Sequence, residues 1–135
     1  MNAAVPPELP GARRRRWVLR GLGLCLVLFA VLLGRGCAVD NRRYEARLQL
    51  QHAKNIAEIE QVLGPPWEEW ARLDNVHYEF AQLGIYTQAD EHAGYVLKRY
   101  LLWSEVLTFH PGFLDLLVKV RPSDGAVLAA KVHHQ

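Results

Sequence analysis

Residues 13–38, RRRRWVLRGLGLCLVLFAVLLGRGCA, constrain this chain more than any other stretch. Residues 22–33 are apolar on every face. They lack the polar stripe that a helix packed on a soluble core shows to water. Residues 17–34 form an eighteen-residue run broken only by Arg20. As a helix this run is about 27 Å long, close to the roughly 30 Å hydrocarbon core of a bilayer. Four arginines precede it directly, which is the positive flank of a membrane segment. Trp17 belongs at the inner interface, and Arg20 reaches back toward the headgroups beside the block from Arg13 to Arg16. The expected topology is N-terminus inside and body outside.

The rest of the chain divides around that segment. Residues 1–12, rich in Pro and Ala, read as a disordered tail, residues 13–38 as basic flank and membrane or signal-anchor segment, and residues 39–135 as one small domain. Residues 1–35 hold six Arg and one Glu, a charge of +5, whereas residues 36–135 hold ten Lys and Arg against thirteen Asp and Glu, a charge of −3. A mildly acidic body has no basic footprint for nucleic acid, so none is expected as a partner. The only cysteines are Cys25, inside the apolar run, and Cys37, just past it. The body therefore has no disulfide framework and no Cys-based redox or metal site, and its stability must come from ordinary packing.

Three fates of residues 13–38 are open. An uncleaved single-pass anchor needs no further motif and ranks first. Gly36-Cys37-Ala38 offers a G-x-A site for cleavage after Ala38. Leu33-Gly34-Arg35-Gly36-Cys37 approaches the L-x-G-C run of a bacterial lipoprotein signal, with the Leu one place too far back and an Arg intruding, which makes Cys37 the lipidation candidate. Residues 15–20, RRWVLR, also resemble part of a twin-arginine export signal, with Arg at the usual Ser/Thr place.

In the body, Tyr44, Leu48, Ile56, Ile59, Val62 and Leu63 recur at helical spacing, with His52 in a gap, so residues 40–63 are expected to form one bent helix or two short ones. Asn55-Ile56-Ala57-Glu58 is patterned as a capping box and favours a fresh start at Asn55. Gly64 followed by Pro65 and Pro66 stops the helix, because Gly accepts the left-handed cap and Pro cannot continue it. Residues 75–83 alternate, with Val76, Tyr78 and Phe80 on one side, and predict a half-buried strand. Residues 114–121 and 126–133 alternate around Pro122-Ser123-Asp124-Gly125 and predict a hairpin, with Leu116, Val118 and Val120 inward and Leu128, Ala130 and Val132 on one face of the return strand. Residues 95–109 fit either a helix face through Val96, Tyr100, Trp103 and Leu107 or a long strand. The expected fold class is α+β: an N-terminal transmembrane helix, then a small domain with one or two helices packed on an antiparallel sheet of about three strands.

The element order resembles the SmpA/OmlA, or BamE-like, family of small bacterial envelope proteins. The matching residues are Ile56, Ile59, Val62, Leu63, Gly64 and Pro65, as I-x-x-I-x-x-V-L-G-P; residues 75–80, where that family's first strand carries aromatics; and residues 117–132, where its final hairpin closes. The resemblance covers about sixty residues of the body in two pieces. It implies a non-catalytic module that docks on another envelope protein or on lipid. The retained-anchor reading places the chain in the bacterial inner membrane with its C-terminal domain periplasmic. No catalytic residues carry over. The alternative placement is a lipoprotein or a cleaved periplasmic binding or inhibitor module. Nothing in the chain sets its oligomeric state.

Candidate chemistry is sparse. Asp90-Glu91-His92 reads as a solvated loop or a helix start, where acids favour the N-terminal dipole. His133 and His134 read as a frayed tail, and His110 as a turn residue. His77 and Glu79 on one strand face would be the pair for a small enzyme, but the chain holds no G-x-S-x-G, P-loop, H-E-x-x-H or dinucleotide fingerprint, so an enzyme is not expected and no cofactor or metal is. Trp67 and Trp70 straddle two acids after the double proline, and they with Tyr100 and Trp103 are the partner-binding candidates, because Trp and Tyr are enriched at binding hot spots. The competing expectation is that these rings cap the core.

Overall fold

The computed structural model describes residues 10–105 and 110–135, with Ala4, Pro7 and Thr108. The expected tail therefore lies mostly outside the described residues, as does Leu107. The chain divides into two compact units, Met1–Val39 and Asp40–Gln135. A long helix, α1 (Pro10–Leu48), has residues in both. It starts three residues inside the expected tail, at a proline, which is tolerated in a first turn because its missing N–H would have had no partner there. In the first unit the apolar side chains stand free, from Trp17 at 70% exposed to Leu33 at 51%. This helix is long and apolar enough to cross a membrane.

The second unit is built on a four-stranded antiparallel meander. Its strands are β1 (Glu68–Trp70), β2 (Val96–Glu105), β3 (Gly112–Arg121) and β4 (Ala126–His134), paired in chain order. The expected helical region does break in two. After Leu48 a 3-10 turn runs through Gln49–His52, and α2 (Ile56–Leu63) starts afresh. Asn55 is its N-cap, its side-chain oxygen accepting from the Ala57 N–H at 2.9 Å. The Asn55 amide also donates to the Asp124 carbonyl at 3.2 Å, and the Ile56 N–H donates to the Gly125 carbonyl at 2.8 Å. The start of α2 is thereby stitched to the β3–β4 turn. Gly64 closes α2 at φ +78°, a conformation that a side chain would disfavour.

Both faces of the sheet are covered. On one, Ile59 of α2 with Tyr44, Leu48 and Ile56 packs on Tyr100, Leu102, Leu116, Val118 and Val120. On the other, Val76, Phe80, Ile85 and Tyr86 from the β1–β2 connection pack on Trp70, Leu97 and Leu117. This explains why β3 is buried at five successive positions, 114–118, instead of at alternate ones.

Residues 75–83 are not a strand. They contain the end of a 3-10 turn (Leu73–Asn75) and a short helix, α3 (Tyr78–Ala81). Val76 and Phe80, four apart, point into the core, while Tyr78 is 78% exposed, so the apolar spacing was helical. The fourth strand is β1, a short edge held by the Glu68, Glu69 and Trp70 pairings with Arg99, Lys98 and Leu97. Residues 96–105 resolve as strand. A bulge between Leu101 and Trp103 breaks the alternation and turns both Leu102 and Trp103 inward, which imitated a helix face. A second bulge at Lys119 and Val120 sets Val127 opposite Val120 and leaves Leu128, expected on one face with Ala130 and Val132, 38% exposed.

Candidate functional site

The strand register gathers charge on the sheet face that Phe80 covers. Glu68 pairs with Arg99 across β1 and β2, and Asp115 pairs with His133 across β3 and β4. Arg99 donates from Nε (3.1 Å) and Nη2 (2.8 Å) to Asp115 Oδ2, and from Nη1 to Glu68 Oε2 at 2.7 Å. Its guanidinium lies 4.9 Å from the Phe80 ring centre. Burial works against the Arg99 charge, but the two carboxylates outweigh it and raise its pKa. Glu68 Oε1 meets His77 Nε2 at 3.1 Å. The Arg99 hydrogen bond, above all, holds the Glu68 carboxyl below its ordinary pKa; His77 assists against partial burial.

Asp115 is fully buried, and the Gln135 amide also donates to its Oδ2. Among the described residues, its Oδ1 and the His133 Nδ1 are buried without a hydrogen-bond partner. The two residues are cross-strand neighbours, so two unsatisfied atoms lie on the same patch of sheet, with the Phe80 ring edge-on to His133 at 5.2 Å.

Around the far end of β3 and β4 lies a cavity of about 350 Å³. Tyr44, Trp103, His110, Phe113, His134 and Gln135 are among its walls. The Tyr44 and His110 rings stack at 4.1 Å, and Tyr44 meets Trp103 edge-on at 5.3 Å. Trp103 Nε1 donates to the His110 carbonyl at 2.7 Å, and His110 Nε2 meets Asn41 Oδ1 at 2.9 Å. Arg47 donates to the Leu102 carbonyl, its guanidinium 5.8 Å from the Trp103 ring centre. Aromatic walls with a few fixed polar groups suit recognition of a mixed polar and apolar group. Among the described residues, no three His, Cys, Asp or Glu side chains are grouped to hold a metal.

The partner-binding candidates separate sharply. Trp67 is 60% exposed, its N–H donating to the Arg99 carbonyl at 2.7 Å and its ring 5.8 Å from the Arg99 guanidinium. Trp70, Tyr100 and Trp103 are buried in the core, which matches the competing expectation for these rings. Trp70 is edge-on to His77. Tyr100 donates to Glu60 Oε1 at 2.9 Å; burial first, then Glu60, drives its pKa far up. Strand alternation on a sheet covered on both faces leaves no free side for these rings. Cys37 is a half-exposed free thiol on α1.

His77 does not pair with Glu79; it precedes α3 and faces Glu68. Asp90 does start a helix, α4 (Gln88–His92), but is buried instead of solvated. Thr87 and Asp90 form a capping box, and Lys119 donates to Asp90 Oδ1 at 3.0 Å. Burial opposes the Asp90 charge, yet Lys119 and Thr87 prevail and lower its pKa. His133 and His134 are not a frayed tail, because β4 runs through His134. No local pattern pointed to Tyr86, whose single hydroxyl lies within hydrogen-bond distance of the carbonyls of Ala71 (3.0 Å) and Tyr95 (2.8 Å), at the two ends of the β1–β2 connection.

No family model, no curated protein and no solved structure matches the chain.

Proposed function

We propose that this protein is a single-pass, membrane-anchored interaction module of the bacterial cell envelope. Residues 40–135 lie on the periplasmic side and support assembly of a membrane or outer-membrane protein complex. The carrying observation is the long helix with its fully exposed apolar stretch, joined to a domain that satisfies its own core. Exposed apolar surface on that scale is stable in lipid and a liability in water. The flank charge supports the N-terminus-inside orientation.

The docking role draws on Trp67 and Tyr78, two large exposed rings next in sequence to Glu68 and His77, which meet at 3.1 Å. The envelope reading also draws on the resemblance of the Leu63-Gly64-Pro65 run and the closing hairpin to the BamE-like pattern; residues 75–80, expected as that family's first strand, are the end of a 3-10 turn and part of a short helix. A photo-crosslinking residue at position 67 in intact membranes tests the role. The expected outcome is a discrete protein adduct from position 67 that disappears with Tyr78→Ala. Crosslinks to lipid alone, or none, would contradict it.

A further inference from the structure

The meander has two outer strands, and they are unlike. β1 is three residues long, a shortness that itself protects an edge. β4 is nine residues long and forms the other edge. Its start is closed, because the Val127 N–H donates to the Lys54 carbonyl at 2.9 Å and the Ile56 N–H to the Gly125 carbonyl at 2.8 Å. Beyond the bulge the edge is open. The Gln135 N–H donates to the Phe113 carbonyl at 3.2 Å, and the pairs Asp115 with His133 and Leu117 with Lys131 continue that ladder two residues apart. Alternation then turns the main-chain groups of Ala130, Val132 and His134 away from β3. Among the described residues, no backbone group outside the sheet bonds to them.

We propose that the open edge of β4, residues 128–134, takes an extended segment of a partner protein as a fifth, antiparallel strand, with an acidic side chain of that segment opposite Lys131. The proposal rests on the interaction-module reading above and adds to it a second surface and the chemistry of the partner. Main-chain hydrogen bonds to an exposed edge supply affinity, and side chains supply the choice of strand. Lys131 is exposed and belongs to no ion pair among the described residues. It falls at a non-hydrogen-bonded position relative to an added strand, where facing side chains come closest. A lysine there keeps neutral or basic strands off the edge and selects one bearing an acid. Ala130 and Val132, its neighbours, pack on the cluster around Ile59, so apolar side chains flanking the acid extend that face. A second copy fits less well. β4 holds no acidic residue, so pairing two copies brings together two sets of Lys131, His133 and His134 with no carboxylate between them.

Hydrogen exchange read by NMR on the full chain in detergent micelles tests this, with the peptide Thr-Thr-Val-Glu-Val-Thr-Thr and its Lys counterpart as probes. In the free chain the amides of Lys131 and His133 are expected to be protected, and those of Ala130, Val132 and His134 to exchange freely. Protection of all five at every protein concentration would mean a closed edge and overturn the site. At about 1 mM the Glu peptide is expected to slow the three open amides roughly tenfold, as a dissociation constant of about 100 µM requires, and the Lys peptide less than about twofold. Lys131→Glu should reverse that preference. Val132→Pro removes an outward N–H and should abolish the slowing; His134→Pro, at the exposed end of the strand, does the same if Val132→Pro unfolds the domain. Equal slowing by both peptides, or none by either, would overturn the proposal. Slowing that needs no peptide and rises with protein concentration would assign the edge to a second copy and overturn it too. The adduct at position 67 reads the wider function separately. With that adduct present, a failed peptide test overturns the β4 site alone; with neither, the interaction module falls as well.

Discussion

At the scale of single residues, Arg99 holds the sheet face together through three hydrogen bonds to two carboxylates, one of them on the fully buried Asp115. Removing one partner of such a pair leaves an uncompensated charge in a low-dielectric site. Arg99→Met is therefore expected to destabilise the domain by about 3–5 kcal/mol in a urea titration. Arg99→Met with Asp115→Leu should be clearly more stable than Arg99→Met alone; equal stability would mean that the buried charge is not what costs. Glu68 and Asp90 have folded-state pKa values below their ordinary 4.5 and 3.8. Their stabilisation is thus complete above about pH 4.5 and lost as the pH falls through the depressed values. Lys119→Met is expected to cost about 1–3 kcal/mol at pH 7 and to weaken the further loss on acidification, read by thermal melts from pH 7 to 3. None of these pairs was visible in the sequence, because Glu68 and Asp115 lie 31 and 16 positions from Arg99 and only the register of three strands brings them together.

At the scale of elements, legibility followed locality. The Asn55 cap, the Gly64-Pro65-Pro66 stop and the Asp124-Gly125 turn are each set by a few adjacent residues, and each formed where expected. Elements that depend on tertiary partners did not read correctly. The β1 strand is too short to alternate and exists because β2 pairs with it. In residues 75–83, Val76 and Phe80 are core at helical spacing, and Tyr78 between them supplied a false alternation. Bulges disguised β2 and displaced Leu128. Gly125 joins two of the legible elements. At φ +72° an added Cβ would lie 3.1 Å from Ile56 Cγ2, at the point where the turn carbonyl caps α2. Gly125→Ala is expected to cost about 1–2 kcal/mol through strain, against about 1 kcal/mol for the lost cap in Asn55→Ala, both measured by denaturant midpoint.

At the scale of the whole molecule, the two units have opposite solvent requirements. The first exposes an apolar helix, and the second buries two hydrophobic clusters and carries most of the acidic residues. Asp40–Gln135 expressed alone is therefore expected to be soluble and to melt in one cooperative transition, seen as coincident fluorescence and circular dichroism curves. The long apolar helix was the most legible part of the chain, since length, apolarity and flanking charge suffice to find it. Which aromatic rings stay exposed was the least legible. Trp67 and Trp70 look alike in sequence, and only the layer beneath the sheet decides that one is exposed and the other covered. The most direct measurement is the intact mass of the chain extracted from membranes, with and without Cys37→Ser. A mass matching the full 15.4 kDa chain in both is expected. A mass beginning at Cys37 with added acyl groups and lost in the variant, or one beginning at Val39, would contradict a retained anchor.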